Sequence, residues 1–221
     1  MFIIRKLLSH IILLRPLNVL ISGISVVIAS KIIQIDNNSL VLTLSVIVML
    51  FTSGANVLND FIDYKIDLIN RPHRPIPSGN VKQSVAFYMA LFFFIVGCLL
   101  CMKLNGNAKT IGIFIAMPIM VLYTTYLKRL PLIGNLAVAF TIGLSFVFCG
   151  AAFNSFSSMI VPMILCFLLS FLRELIKDIA DIEGDKALGL KTFPIYYGIE
   201  KSKNFVWMTC FISGLVFIVP Y

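Results

Sequence analysis

Long apolar stretches alternate with short polar ones along this chain. Seven stretches are apolar enough, and close enough to the roughly 20 residues that a bilayer requires, to be membrane-spanning helices. They are Pro16–Ile33, Leu40–Leu58, Ser84–Met102, Thr110–Tyr126, Leu132–Phe153, Met159–Ile176 and Phe205–Val219. The pattern predicts an all-α fold, a polytopic transmembrane helical bundle that forms a single membrane domain over residues 1–221.

Composition supports the membrane assignment. The chain is 59% hydrophobic and 13% charged, with a mean hydropathy of +0.98, and therefore has too little polar surface for a soluble domain. The first residues, MFIIRKLLSHIILLRPLN, mix basic and apolar positions and contain no small-residue cleavage site. They predict an amphipathic helix at the membrane interface rather than a removed signal peptide.

The charges are distributed unequally between the two sides of the predicted bundle. If the N-terminus is inside, 15 of the 18 basic residues lie in inner segments and only Lys31, Lys103 and Lys109 lie outside. All acids except Asp36 are also on the inner side. The positive-inside rule therefore predicts a multi-pass protein of the cell membrane, with a cytoplasmic N-terminus and cytoplasmic inner loops. Topology and anionic ligands explain the net charge of +8 without nucleic acid as a partner.

One acidic pattern, Asp-x-x-Asp-x-x-x-Asp, occurs twice, each time where an apolar stretch ends. Its members are Asp60, Asp63 and Asp67 in the first copy and Asp178, Asp181 and Asp185 in the second, 118 residues further on. Residues three, four and seven apart share one face of a helix, so each copy can direct three carboxylates towards one point. The two copies predict a site for divalent cations and for a phosphate-rich ligand.

The constant offset also indicates an internal repeat. Each acidic motif is followed by basic residues, a proline and a glycine, so the similarity extends beyond the acids. Both copies fall on the same predicted side of the membrane. We therefore expect a parallel pseudo-symmetry that makes the two clusters converge across a cavity.

The residue types point to metal-assisted diphosphate chemistry. Asn59, Asp63 and Asp67 form a stripe of hard oxygen ligands suited to Mg²⁺, although an acidic helix end in solvent is the alternative. Lys177 can pair with a neighbouring acid or hold diphosphate oxygens, and Lys128 can anchor the helix end or bind phosphate. Such a site suits the ionisation of an allylic diphosphate, followed by capture of the cation where water is excluded.

These motifs resemble the UbiA superfamily of intramembrane prenyltransferases, which carries NxxxDxxxD after its second helix and DxxxD after its sixth. The flanking stretches INRPHRPIPSG, YLKRLPLIGN and RELIKDIADIEGDKALGLKTFPIYYG resemble the branch that makes archaeal ether lipids. Chlorophyll synthase-like members share the NRPIPSG character. The superfamily has nine helices, so the resemblance implies that two C-terminal helices are missing from a truncated chain.

The resemblance also implies roles for individual residues. The catalytic residues are expected to be Asp63, Asp67, Asp181 and Asp185. The residues expected to hold Mg²⁺ are Asn59, Asp63, Asp67, Asp178, Asp181 and Asp185. The residues expected to bind the prenyl diphosphate are Asn59, Arg71, Arg74, Lys128 and Lys177.

The implied reaction is transfer from geranylgeranyl diphosphate to the lipid-like phosphate acceptor geranylgeranylglyceryl phosphate. An aromatic or quinone-precursor acceptor is the alternative. A cation or phosphate transporter is a third possibility, but it should carry acids at both sides of the membrane midplane, whereas here the acids are confined to one end.

Overall fold

All regular structure in the described part of the chain is helical, which confirms the predicted all-α class. The computed structural model describes residues 2–187, 189 and 191–218. Its α-helices are α1 Phe2–Leu14, α2 Pro16–Ile32, α3 Asn38–Ile62, α4 Tyr64–Asn70, α5 Gln83–Cys101, α6 Gly106–Thr110, α7 Met117–Thr125, α8 Ile133–Ala152, α9 Ile160–Ala180, α10 Ile182–Ala187, α11 Phe193–Tyr197 and α12 Ile199–Ile218. A π-helical segment, Ile111–Ala116, joins α6 to α7, and 3₁₀ turns cover Leu127–Arg129 and Ser157–Met159.

Several of these helices make the chain a multi-pass membrane protein. The stretches long and apolar enough to cross a bilayer are Asn38–Ile62, Gln83–Cys101, Gly106–Thr125, Ile133–Ala152 and Ser157–Ala180. A sixth span results if α1 from Lys6 onwards and α2, which meet at 43°, are counted as one bent span.

The prediction of seven independent spans is therefore too high for the described residues. The predicted run Phe205–Val219 lies on α12, apart from Val219, which is outside the described residues. The first turns of α12 carry Glu200, Lys201 and Lys203, so the apolar part of this helix within the described residues is shorter than a bilayer requires.

The repeat inferred from the acidic motifs extends to the helices themselves. Helices α2, α3, α4 and α5 correspond in order to α8, α9, α10 and α12, and the first residues of α4 and α10, Tyr64 and Ile182, are 118 positions apart. The packing repeats as well, because α3 packs against α2 and α5 just as α9 packs against α8 and α12. The two halves therefore place their acidic motifs at equivalent points of equivalent helices.

Small residues allow the helices within each half to approach closely. A Cβ atom at Gly143 of α8 would lie 2.9 Å from the Met163 carbonyl oxygen of α9. A Cβ atom at Gly97 of α5 would lie 2.5 Å from the Phe51 ring of α3. Close backbone approach of this kind is how helices associate where lipid removes the hydrophobic driving force. The bundle is therefore tight enough to hold the ends of α3 and α9 in fixed positions.

The loop after α4 is held against the bundle by its own apolar side chains. Ile76 and Val81 are 3% and 2% exposed, and they pack in a cluster with Leu13 of α1 and Val57 of α3. This packing fixes the position of Arg74, which lies two residues before Ile76.

Candidate active site

Both acidic motifs lie at a break between a long helix and a short one. Asp63 separates α3 from α4, and Asp181 separates α9 from α10. Their backbones are nearly identical, with φ and ψ of −79° and 2° at Asp63 and −92° and 5° at Asp181. The Asp63 amide donates to the Asn59 carbonyl at 2.9 Å, and the Asp181 amide donates to the Lys177 carbonyl at 2.9 Å. The repeat is thus present in local structure as well as in sequence.

The first motif contacts the loop that follows α7. The Lys128 Nζ atom lies 2.5 Å from the Asp63 carboxylate and 3.2 Å from the Asn59 side-chain oxygen. The Lys128 side chain is only 15% exposed, so this ion pair is largely shielded from solvent. The structure therefore brings Asn59, Asp63 and Lys128 into one cluster.

The remaining acids of the first motif pair with arginines. The Arg74 Nη1 atom donates to the Asp67 carboxylate at 2.7 Å and to the Asp60 carboxylate at 3.3 Å. The Arg15 Nη2 atom lies 2.5 Å from the same Asp60 oxygen. Asp60 and Asp67 are each 5% exposed, so the arginines neutralise carboxylates that would otherwise be costly to bury. Arg71 is exposed on the same loop, and its amide donates to the Asp67 carbonyl.

The second motif has fewer cationic partners. Asp178 is buried and accepts a hydrogen bond from the Asn135 amide at 2.8 Å. Lys177 is hydrogen-bonded to Glu174 and lies 3.9 Å from the Asp178 carboxylate. Asp181 is exposed and Asp185 is half-buried. Burial, and then the nearby charge of Asp181, raise the pKa of the Asp185 carboxyl above its usual range. The second motif therefore has negative charge that the protein leaves incompletely compensated.

A polar cavity lies beside the two motifs. It has a volume of about 60 Å³ and is lined by Lys128, which contacts the first motif, by Asp178 of the second motif, and by Lys177, which precedes Asp178. Lys191 and Thr192 also line it. Three lysines around one cavity favour an anionic ligand with several oxygens.

Tyr123 lines the same cavity, so α7 contributes to it together with the loop that carries Lys128 and the end of α9. Within the described part of the chain, Asp178 is the one acid of the two motifs that lines this cavity, and Asp63 is linked to it through Lys128.

The three-carboxylate clusters expected within each motif are not formed. No three His, Cys, Asp or Glu residues of the described chain stand close enough together to hold a metal. The reason is that the first acid of each motif is directed to another partner, Asp60 to Arg15 and Asp178 to Asn135. Lys128 and Arg74 meanwhile compensate Asp63 and Asp67.

Sequence reasoning missed some of the site residues. Arg15 was counted only as a basic residue of the inner side, and Asn135 was part of an apolar run. The available signal was their polarity, because Asn135 interrupts Leu132–Phe153 near its start and is 8% exposed. A buried polar side chain in an apolar helix requires a partner, and here the partner is Asp178.

The chain is similar to proteins of one known family. The model of the UbiA prenyltransferase family matches residues 19–221. A digeranylgeranylglyceryl phosphate synthase from Methanobrevibacter smithii is 37% identical over 218 residues, covering 93% of this chain and 76% of the relative. The synthase of the same name from Methanosphaera stadtmanae is 37% identical over 212 residues, covering 94% and 77%.

Solved structures show the same fold. A structure of a digeranylgeranylglyceryl phosphate synthase superposes with a TM-score of 0.82 at 30% identity, covering 96% of this chain and 76% of that one. A UbiA homolog from Archaeoglobus fulgidus bound to GPP and Mg²⁺ superposes with a TM-score of 0.75 at 18% identity, covering 94% and 76%. The resemblance drawn from the paired motifs is thereby confirmed, and this chain belongs to the UbiA prenyltransferase family.

Proposed function

We propose that this prenyltransferase moves a geranylgeranyl group from geranylgeranyl diphosphate to geranylgeranylglyceryl phosphate, with Mg²⁺ as cofactor, in ether-lipid synthesis. The observation that carries the proposal is a polar cavity lined both by Lys128, which is paired with Asp63 of the first acidic motif, and by Asp178 of the second. The names of the relatives support this donor and acceptor. The Archaeoglobus fulgidus homologs bound to DMAPP or GPP with Mg²⁺ support the class of donor and the metal.

The donor set fits a hard divalent cation. Asn59, Asp63, Asp67, Asp181 and Asp185 supply only carboxylate and amide oxygens, which Mg²⁺ prefers together with water and phosphate oxygens. In the first motif, Asp63 pairs with Lys128 and Asp67 pairs with Arg74. The carboxylates of this motif therefore already attract positive charge. Asp178 also lines the cavity and remains a candidate ligand, although it is already bonded to Asn135.

The cavity can stabilise the leaving group. When the carbon–oxygen bond of the donor breaks, the electron pair leaves with the diphosphate and an allylic cation remains. Bound Mg²⁺ would neutralise the charge that develops on the diphosphate. Lys128, Lys177 and Lys191 line the cavity and can contribute to the same stabilisation. The acceptor hydroxyl oxygen then forms the new ether bond to the cationic carbon and releases its proton.

A second, apolar cavity of about 30 Å³ lies between α3, the π-helical segment and α8. Phe51, Gly112, Ala116 and Phe148 are among its lining residues. A cavity of this size is far smaller than a geranylgeranyl chain, so the chain would have to separate these helices or lie along their apolar surfaces.

Labelled donor tests the reaction and the acceptor. Membranes containing the protein, incubated with radiolabelled geranylgeranyl diphosphate and Mg²⁺, should transfer label to geranylgeranylglyceryl phosphate and not to aromatic or quinone-precursor acceptors. Chelation of Mg²⁺ should abolish the transfer, and membranes carrying Asp181→Asn serve as the matched blank. Label on an aromatic acceptor would assign the alternative function, and label on no acceptor would refute the proposal.

The distribution of charge supports an N-terminus and active-site loops on the cytoplasmic side. In a variant without the five native cysteines, we expect a membrane-impermeant maleimide to label Asn38→Cys in intact cells. It should label Lys82→Cys only after permeabilisation, because Lys82 lies in the loop that follows the first acidic motif. The opposite order of labelling would reverse the orientation.

A further inference from the structure

Asp60 is the central member of a buried chain of charges. One of its oxygens receives Arg15 at 2.5 Å and Arg74 at 3.3 Å, and the same Arg74 nitrogen reaches Asp67 at 2.7 Å. The Asp60 side chain is 7% exposed. The Arg15 side chain is 34% exposed, so solvent screens part of its charge. Asp60 and Arg74 are more shielded, so a charge change at Arg15 can still reach Asp67 through them.

The charges at Asp60 are held in place at both ends. Asn56, one turn before Asp60 on α3, donates to the Leu14 carbonyl at 2.9 Å. Leu14 and Arg15 form the elbow between α1 and α2, where Arg15 adopts a left-handed backbone with φ of 56° and ψ of 69°. Two side chains of α3, Asn56 and Asp60, therefore bind this elbow and position the Arg15 guanidinium.

The second repeat contains an equivalent bond. Asp178 stands 118 residues after Asp60 and accepts from Asn135, which lies in the first turn of α8, the counterpart of α2. In both halves the first acid of the motif is bonded to the beginning of the preceding helix. The recurrence indicates that this acid serves to position the site, because in each half it ties the end of one helix to the beginning of the helix before it.

We propose that Asp60 is a positioning residue, which shares Arg74 with Asp67 and so keeps Asp67 available to a divalent cation. A single Arg74 nitrogen contacts both carboxylates, so the attraction of Arg74 to Asp60 weakens its pairing with Asp67. Arg15 limits this effect by partly neutralising Asp60. The inference rests on the proposed function, in which Asp67 is a metal ligand.

Removing the charge of Asp60 and removing the charge of Arg15 should change the affinity for the metal in opposite directions. Without the charge of Asp60, Arg74 pairs fully with Asp67 and competes with the metal. Without the charge of Arg15, Asp60 draws Arg74 away from Asp67. General damage to the fold would instead weaken metal binding in both variants.

Binding of Mn²⁺ to the purified full chain in detergent, followed by the loss of its free EPR signal, measures this directly. Asp60→Asn should raise the Kd for Mn²⁺ about tenfold, the usual scale for a group that orients a metal ligand. Arg15→Met should lower the Kd, and Arg15→Lys should restore the wild-type value. The double variant Arg15→Met/Asp60→Asn should behave as Asp60→Asn alone, because Arg15 acts only through Asp60.

Lys65→Met is the matched control, since it removes an exposed cation of α4 from the same region without touching the network. An unchanged Kd in Asp60→Asn, or a raised Kd in Arg15→Met, would overturn the inference. Wild-type protein that binds no Mn²⁺ would also overturn it. If Asp60→Asn does not fold, the comparison of Arg15→Met with Arg15→Lys still decides. Failure of the proposed function is distinct, because it would appear as intact Mn²⁺ binding without labelled product.

Discussion

Replacing either Asp63 or Asp181 with asparagine should lower kcat/KM for prenyl transfer by about 10²–10³-fold or more, the scale reported for loss of one stabilising group at a developing charge. Both residues occupy the same break between helices, and in our proposal both are metal ligands. Asparagine keeps the size of the side chain but removes the negative charge that would hold Mg²⁺, and with it the cation that would neutralise the leaving diphosphate.

The fold should survive these substitutions. Asp181 is exposed, so thermal unfolding of Asp181→Asn in detergent should change little. Asp63→Asn leaves the shielded Lys128 without its ion-pair partner, so its unfolding temperature should fall while the protein still folds. Asp36→Asn is the matched control, because Asp36 is the acid that lies outside the inner segments, and its activity should equal that of wild type. Normal turnover by Asp63→Asn or Asp181→Asn at saturating Mg²⁺ and donor would refute their roles.

Lys128→Met should produce the second large effect. Lys128 contacts the first motif and also lines the cavity beside the second. Its loss leaves the Asp63 carboxylate without its ion-pair partner and removes a cation from the candidate diphosphate site. We expect kcat/KM for the donor to fall about 10²-fold or more. Lys128→Arg should recover part of the activity, because arginine restores the positive charge but its planar guanidinium differs in shape from the ammonium group.

The matched control for this substitution is Lys82→Met. Lys82 is an exposed cation on the same side of the bundle, at the start of α5, and its removal tests the general effect of surface charge. A loss of activity equal in the two variants would show that Lys128 acts through overall potential rather than through its contacts.

The hydrophobic pattern was sufficient for the helices, because apolar length alone decides which segments can cross a bilayer. Leu40–Leu58, for example, lies within the helix Asn38–Ile62. The pattern could not show that this helix breaks at Asp63. The Asp63 amide still makes a helical hydrogen bond to the Asn59 carbonyl, so the helical spacing of side chains continues up to the break. It also placed the start of α12 at Phe205 rather than Ile199, because the first turns of this helix are polar.

The residues of the candidate site could be predicted only in part, for a different reason. The acids and Lys128 were found because charged residues are rare in this sequence and fall in recognisable motifs. The partners that decide what each acid does are far away in sequence, as with Arg15 and Asp60 at a separation of 45 residues and Asn135 and Asp178 at 43. Such pairs depend on how helices pack, and no local periodicity specifies them.

In our proposal, two acidic motifs from two repeats form one site for a prenyl diphosphate. Titration calorimetry of the purified chain with a non-ionising thiodiphosphate analogue of geranylgeranyl diphosphate measures this binding without the reaction. We expect one molecule bound per chain, only with Mg²⁺ present, and loss of that binding in both Asp63→Asn and Asp181→Asn. Binding that needs no Mg²⁺, or that persists unchanged when either motif is altered, would show that the two motifs do not form one metal-dependent site.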